Sequence, residues 1–241
     1  MAYTIPVCIA TTGILIGWAL AALPFDRSGE FNAWLFRFWA RSILTITRVR
    51  VRLRGVEHID LSRRYICVAN HSSLIDIPVL VASLPLRLCF VAKEELFRIP
   101  VFGAYLRRMR HIPVARSNSR AAAKSMADAA RAIAAGMRSV LLFPEGGRTA
   151  VGEGLREFRE GAAYIAIKAG VPVVPVAIVG LRDLLPMGSF HLRAGEAVLH
   201  IGDPIPTKGM LPRDRAELTQ RLYEELARIT GEGRYTVAQA P

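Results

Sequence analysis

The stretch Tyr65-Ile-Cys-Val-Ala69-Asn70-His71-Ser-Ser-Leu-Ile-Asp76 joins a short apolar run to a polar loop and the start of a helix. Other short runs share its apolar, partly β-branched character, which is typical of parallel strands buried on both faces: Leu88–Ala92, Ser139–Phe143 and Val173–Val179. Helical patterns lie between these runs, at Leu74–Ser83, Glu94–Leu106, Ser119–Gly136 and Gly161–Ala169. The alternation predicts an α/β fold with a mainly parallel sheet flanked by helices.

The sequence before this region predicts a membrane anchor. Residues 1–25 contain no charged side chain, and the apolar run Ile5–Leu23 would measure roughly 28 Å as a helix, close to a bilayer core. An arginine-rich stretch follows, which favours retention on the cytoplasmic side. Two alternatives are a signal peptide, since Ala19-Leu-Ala21 resembles a cleavage site, and a buried core helix. A signal peptide normally carries Lys or Arg before its apolar run, and this run has none.

The flanking segments complete the predicted organisation. Phe31–Leu44 combines aromatic side chains with arginines at helical spacing, which suits either a helix in the lipid headgroup region or a core helix. Arginine alternates with Val and Leu from Arg48 to Arg54, which predicts a strand with one basic face. A further strand at Ala197–Ile201 and a helix at Asp214–Ile229 follow. The predicted division is therefore anchoring helices over 1–47, an α/β domain over 48–233, and a loose tail over 234–241.

Composition limits the class of protein. Of the 241 residues, 52% are apolar, which excludes a disordered chain. The formal net charge of +12 predicts an anionic partner, such as a membrane surface or a phosphorylated substrate. No recognised motif accompanies the charge, so we expect no nucleic-acid partner. Cys8, Cys67 and Cys89 lie in apolar runs and form no CxxC, which indicates reduced packing residues and no zinc site or disulfide framework.

Two polar segments follow buried strands, where α/β sheets place their ligands. In the first, Asp76 comes five residues after His71 and is positioned to hold one imidazole nitrogen, which would leave the other as a general base. The alternative is a capping box over Ser73–Asp76, in which Asp76 only accepts backbone hydrogen bonds.

The second segment is Phe143-Pro-Glu145-Gly146-Gly147-Arg148-Thr149. Its glycines permit a sharp turn or a close approach to a ligand, and Arg148 is suited to bind a phosphate bidentately. The alternative is a glycine turn with a local pair between Glu145 and Arg148.

Together, these motifs resemble the glycerophospholipid acyltransferase family. His71-x4-Asp76 and Phe143-Pro-Glu-Gly-x-Arg148 match two of its blocks. Two further blocks follow the family order: Lys93 to Gly103 with Arg116, and Val171 to Ile178. The sequence departs from the family pattern at Gly147, where Thr or Ser is common, and at Ala115, where Asp is common.

The resemblance implies transfer of a fatty acyl group from acyl-CoA or acyl carrier protein to a lysophospholipid hydroxyl. Lysophosphatidate, giving phosphatidate, is the implied acceptor, with lyso-ornithine lipid as an alternative. His71 would be the general base and Asp76 its orienting carboxylate. The acceptor's polar site would comprise Glu145, Gly146, Arg148, Arg116 and Lys93. These residues require no metal and no cofactor, and the arginine-rich segment after the apolar run predicts an active site at the cytoplasmic face of a membrane.

Other functions compete with this one. A membrane lipid-binding protein would keep the fold without catalysis. A hydrolase with Ser72 or Ser73 as nucleophile would be an enzyme of another type, although the GxSxG motif is absent. A run of basic residues between Glu95 and Asp128 also predicts a positive face for donor, acceptor or membrane: Arg98, Arg107, Arg108, Arg110, Arg116, Arg120 and Lys124.

Overall fold

A computed structural model describes residues 4–100, 102–114, 119–136, 138–150, 153–186 and 192–232, and for residues 119–121 it describes the backbone alone. Its strands are β1 (Val49–Arg54), β2 (Ile66–Ala69), β3 (Leu88–Lys93), β4 (Ile112–Val114), β5 (Ser139–Leu142), β6 (Val173–Val179) and β7 (Gly195–Ile201). They form one seven-stranded sheet in the order β1-β7-β6-β2-β5-β3-β4. Strands β2 to β6 are mutually parallel, and β7 pairs antiparallel with β6 and parallel with β1.

The helices cover both faces of the sheet. They are α1 (Thr4–Ala22), α2 (Glu30–Thr47), α3 (Asp76–Ser83), α4 (Glu94–Arg98), α5 (Phe102–Arg108), α6 (Ser119–Ala134), α7 (Gly161–Ala169), α8 (Leu181–Leu184) and α9 (Arg215–Thr230). Cys67 and Ala69 of β2 face a core shared with α2 and α3, whereas Ile66 and Val68 face a core shared with α6, α7 and α9. Burial on both faces explains why the strand runs are apolar throughout. The predicted α/β class and mainly parallel sheet are confirmed.

The N-terminal helices form a pair. The α1 helix packs along α2 and also contacts α5, and Trp39 Nε1 donates a hydrogen bond to Thr12 Oγ1 at 3.0 Å. The outer surface of the pair is apolar, since Ile9, Trp18 and Trp34 are more than half exposed. By length and composition alone, α1 is long and apolar enough to cross a membrane.

One predicted helix is corrected, and one strand is added. The predicted helix Glu94–Leu106 is broken into α4 and α5, because Pro100 has no backbone N–H and restrains Ile99 to an extended conformation. Gly103 then lies so close to Phe97 that a Cβ would sit 2.1 Å from the Phe97 carbonyl oxygen. The short strand β4 was not predicted. The predicted tail 234–241 lies outside the described residues.

The buried cysteines behave as packing residues. Cys67 and Cys89 are fully buried free thiols. Burial raises the pKa of Cys67 to about 12 and that of Cys89 to about 11, so both remain neutral thiols near pH 7.

Candidate active site

The two polar segments meet because their strands are neighbours. β2 and β5 are paired in parallel, with Val68 opposite Leu142, so their carboxyl ends open on the same edge of the sheet. Residues 70–76 follow β2 and residues 143–149 follow β5. The loops therefore lie side by side, although 74 residues separate His71 from Glu145.

The His71 imidazole is fixed by a buried carboxylate. Its Nδ1 lies 2.7 Å from Asp76 Oδ2, and the Asp76 side chain is fully buried. A carboxylate only accepts hydrogen bonds, so Nδ1 is the donor of this contact, and in the neutral imidazole Nε2 then has the lone pair. The ring also stacks on Phe143, with a centroid distance of 4.0 Å and an interplanar angle of 16°. The side chain is 19% exposed, so the imidazole is held in one orientation and still reached from the cavity described below.

The same carboxylate also holds the turn before α3. Asp76 Oδ2 accepts the backbone N–H groups of Ser72 at 2.7 Å and Ser73 at 2.8 Å. The Ser73 hydroxyl, which a full capping box would direct to the helix, instead donates to the Leu185 carbonyl oxygen at 3.0 Å. Asp76 therefore combines half of the predicted capping box with the predicted contact to His71.

The loop after β5 holds the main chain of His71. The Glu145 carboxylate accepts the His71 N–H at 2.8 Å through Oε1 and the Arg156 N–H at 3.1 Å through Oε2. The His71 carbonyl oxygen accepts the Thr149 N–H at 2.9 Å and the Thr149 hydroxyl at 3.2 Å. Both peptide groups of His71 are thus fixed by buried polar side chains of the loop. Burial raises the pKa of Glu145, and its two backbone hydrogen bonds act in the opposite direction.

Three residues that brace these loops were not predicted from the sequence. Asn70 exchanges two hydrogen bonds with the Ile178 main chain, at 2.9 and 2.7 Å, and so extends β2 along β6. Thr149 holds His71 as described, and Arg182 Nη2 donates to the Thr149 hydroxyl at 3.0 Å. A buried amide directly after a strand is a usable signal for the role of Asn70. Neither Thr149 nor Arg182 has a comparable local signal.

His71 lines a cavity of about 1880 Å³. Ligand pockets in proteins usually measure roughly 300–1,000 Å³, so this cavity is large enough for two substrates. Apolar side chains of α1, α2 and α5 form part of its lining. The Lys, Arg and Glu side chains of the lining are mainly cationic: Lys93, Arg148, Arg159, Glu160 and Arg215.

Only some of the predicted acceptor-binding residues line the cavity. Gly146, Arg148 and Lys93 line the cavity, and Lys93 Nζ lies 3.9 Å from Glu95. Glu145 is 6% exposed and is absent from the described lining, because its carboxylate is turned toward the backbone of the two loops. The alternative pair between Glu145 and Arg148 is not formed in the described structure. Arg116 lies outside the described residues.

The predicted positive face over residues 98–124 stays a prediction, and three of its described members have partners within the protein. Arg107 donates to the Phe97 carbonyl oxygen at 2.7 Å, Arg108 donates to the Asp26 carbonyl oxygen at 3.1 Å, and Arg98 pairs with Glu94. Within the described ranges, His, Cys, Asp and Glu side chains form no cluster able to hold a metal ion.

Comparison with known proteins shows the family to which the chain belongs. A model of the Acyltransferase family matches residues 50–179, which include both loops. The 1-acyl-sn-glycerol-3-phosphate acyltransferase alpha of Homo sapiens is 28% identical over 221 residues, covering 88% of this chain and 77% of the relative. The 1-acyl-sn-glycerol-3-phosphate acyltransferase of Cocos nucifera is 30% identical over 194 residues, covering 80% of this chain and 60% of the relative.

A solved structure matches nearly the whole chain. The 1-acyl-sn-glycerophosphate (LPA) acyltransferase PlsC from Thermotoga maritima superposes with a TM-score of 0.76 at 28% identity, covering 95% of each chain. The match includes the N-terminal helices as well as the sheet, since so little of either chain lies outside it. With the family model spanning more than half of its residues, the chain belongs to the acyltransferase family of enzymes.

Proposed function

We propose that this enzyme transfers a fatty acyl group from an acyl thioester, acyl-CoA or acyl carrier protein, to the free hydroxyl of lysophosphatidate, giving phosphatidate. The single observation that carries the proposal is the His71 imidazole, which Asp76 fixes through Nδ1 and which lines a large cavity with both apolar and cationic side chains. The human, coconut and Thermotoga relatives, whose names specify 1-acylglycerol-3-phosphate acyl transfer, support this choice of acceptor.

In the proposed reaction, His71 Nε2 removes the proton from the acceptor hydroxyl as its oxygen attacks the thioester carbonyl carbon. Asp76 stabilises the imidazolium that forms. The tetrahedral intermediate then breaks its C–S bond, and the imidazolium returns the proton to the leaving thiolate. An ester and a free thiol result, and His71 regains its starting state.

The cavity wall suggests where each part of the substrates binds. Apolar side chains of α1, α2 and α5 are suited to enclose a fatty acyl chain, because burial of each methylene contributes about 0.8 kcal/mol. Arg148, one of the cationic lining residues, is suited to the acceptor phosphate. Glu145 acts in this proposal as a positioning residue for His71, in place of the direct acceptor contact that the resemblance implies.

The exposed apolar surface of α1 and α2 supports action at a membrane. Ile9, Trp18 and Trp34 are exposed on that surface, while the opposite side of α1 lines the cavity. One face of the helix pair is therefore suited to lipid and the other to substrate. We place the active site on the cytoplasmic side, because the arginine-rich segment after α1 favours that orientation.

The proposal is tested by supplying one labelled acyl-CoA with a panel of acceptors to membranes from expressing cells. We expect lysophosphatidate to be acylated at least tenfold faster than lyso-ornithine lipid, and His71→Ala to lower turnover by at least ~10²-fold. His58→Ala is the matched control, because His58 forms a similar pair with Asp203, at 3.5 Å, away from the described cavity lining. A folded His71→Ala enzyme with most of its acyl-transfer rate would contradict the mechanism.

A further inference from the structure

One arginine of the turn 144–149 and three arginines beside it differ in their partners. Arg156 pairs with Glu153 at 2.9 Å, and Arg182 pairs with Glu232 at 3.0 Å. Arg148 and Arg159 form no ion pair with a side-chain carboxylate of the described ranges, which include every Asp and Glu of the chain. Two of the four positive charges therefore have no negative side chain to balance them.

Arg159 is held against the same turn that carries Arg148. Its backbone N–H donates to the Pro144 carbonyl oxygen at 3.0 Å. Its guanidinium occupies the space beside Gly146, where a Cβ would lie 3.0 Å from Cζ and Nε of Arg159. Gly146 also has a φ of 73°, in the left-handed region. Glycine at this position thus permits both the turn and the close approach of the guanidinium.

The unpaired arginines share one cavity with the general base. Arg148, Arg159 and His71 all belong to its lining. Glu160 also lies there, but it pairs with Arg215, so its charge is already balanced. Helix α7 begins at Gly161, two residues after Arg159, and Gly161 and Ala162 of its first turn also line the cavity. The cavity lining therefore has excess positive charge in the cavity where an acceptor hydroxyl must bind.

We propose that Arg159 is a second acceptor-binding residue, which acts with Arg148 to hold a phosphate monoester and so selects lysophosphatidate over acceptors with diester or zwitterionic head groups. The inference rests on the proposed function and adds to it a residue and a basis for specificity. A phosphate monoester offers three terminal oxygens and a charge between −1.5 and −2 near pH 7, which matches two guanidinium groups. A phosphodiester has one charge and two terminal oxygens, and an ornithine head group adds an ammonium that two arginines would repel.

The test compares two neighbouring arginines in the full-length enzyme. Arg159→Met removes the unpaired guanidinium. Arg156→Met is the control, because the Arg156 side chain pairs with Glu153, is absent from the described cavity lining, and its substitution keeps the backbone N–H that Glu145 accepts. Steady-state kinetics with one acyl-CoA give KM and kcat for lysophosphatidate and for lysophosphatidylglycerol, a diester, and thermal unfolding checks the fold.

We expect Arg159→Met to raise KM for lysophosphatidate about 10- to 100-fold, the effect of losing a charged hydrogen-bonding group, with kcat within about threefold of wild type. The control should change KM by less than about threefold. Arg159→Lys, which keeps the charge and loses the planar fork, should fall between them. In wild type, KM for lysophosphatidate should fall as pH rises through the second phosphate ionisation, near pH 6, and Arg159→Met should weaken that dependence.

The result separates this inference from the proposed function. A wild-type enzyme that does not acylate lysophosphatidate would refute both. If wild type is active and both Arg159 variants have a KM within about threefold of the control, Arg159 does not bind the phosphate and the inference alone is refuted.

Discussion

Asp76→Asn is the substitution that best separates the two roles of this carboxylate. Three N–H groups converge on Asp76 Oδ2, from His71 Nδ1, Ser72 and Ser73. In the variant, the amide oxygen should keep that position, because two backbone donors cannot turn away from it. Nδ1 of His71 should then keep its proton, and the main chemical change is the loss of the negative charge beside the imidazole.

The structure sets the size of both effects. Each of the three charge-assisted hydrogen bonds becomes a neutral one, which costs about 0.5–1 kcal/mol apiece and about 1.5–3 kcal/mol of unfolding free energy together. Opposite charges 4 Å apart attract by about 4 kcal/mol at an effective dielectric constant of ~20, so imidazolium stabilisation falls by roughly that amount. Since about 1.4 kcal/mol is a factor of ten in rate, kcat should fall about 10²- to 10³-fold.

The assay measures turnover of lysophosphatidate with a labelled acyl-CoA by the detergent-solubilised enzyme. The unfolding free energy is measured in that detergent. We expect Asp76→Asn and His71→Ala to be folded and nearly inactive, and the double variant to be scarcely slower than His71→Ala, because both changes remove one function. If Asp76→Asn shows the stability loss yet keeps more than about a third of wild-type kcat, Asp76 only holds the turn, and the base-and-carboxylate mechanism is refuted.

Three further predictions follow from the site and its surroundings. Glu145→Gln should lower kcat about tenfold with KM for lysophosphatidate nearly unchanged. Each carboxylate oxygen of Glu145 accepts one backbone N–H, and the Gln amide keeps only one of these two acceptors. A raised KM alone would instead indicate a direct acceptor contact. Burial lowers the pKa of His111 to about 4, so below about pH 6.5 the unfolded chain gains a proton that the folded chain does not. Unfolding free energy should therefore fall by about 3 kcal/mol between pH 6.5 and 4, and His111→Gln should flatten that dependence measured by denaturant titration. Full-length protein should stay with membranes after high-salt and carbonate washes. Removal of residues 1–25 should weaken membrane binding and also abolish long-chain acyl transfer, because α1 forms part of the cavity wall. Complete release of the intact protein by salt would contradict the predicted membrane anchor.

The fold and the central pair of the site were predictable because each has a local signal. Apolar β-branched runs mark buried strands, and the spacing of His71 and Asp76 allows contact within one turn. The break between α4 and α5 also had a signal, Pro100, which the helical pattern around it obscured. The contacts of Glu145 had none, because the sequence does not specify which of two adjacent loops a carboxylate will face. That choice depends on the pairing of β2 with β5, a long-range property of the sheet.

The pairing of β2 with β5 also explains how one loop can serve two purposes. Glu145 and Thr149, at the two ends of the turn after β5, hold the N–H and the carbonyl of His71. Because these two residues face the neighbouring loop, the residues between them are left to face the cavity, and Gly146 and Arg148 do so. The competing interpretations of each motif, structural support and catalysis, are therefore compatible. In the proposed mechanism, Asp76 and Glu145 orient the base from the protein side, and Arg148 is left available for the substrate side, so the same turn would provide rigidity at the base and access for the acceptor.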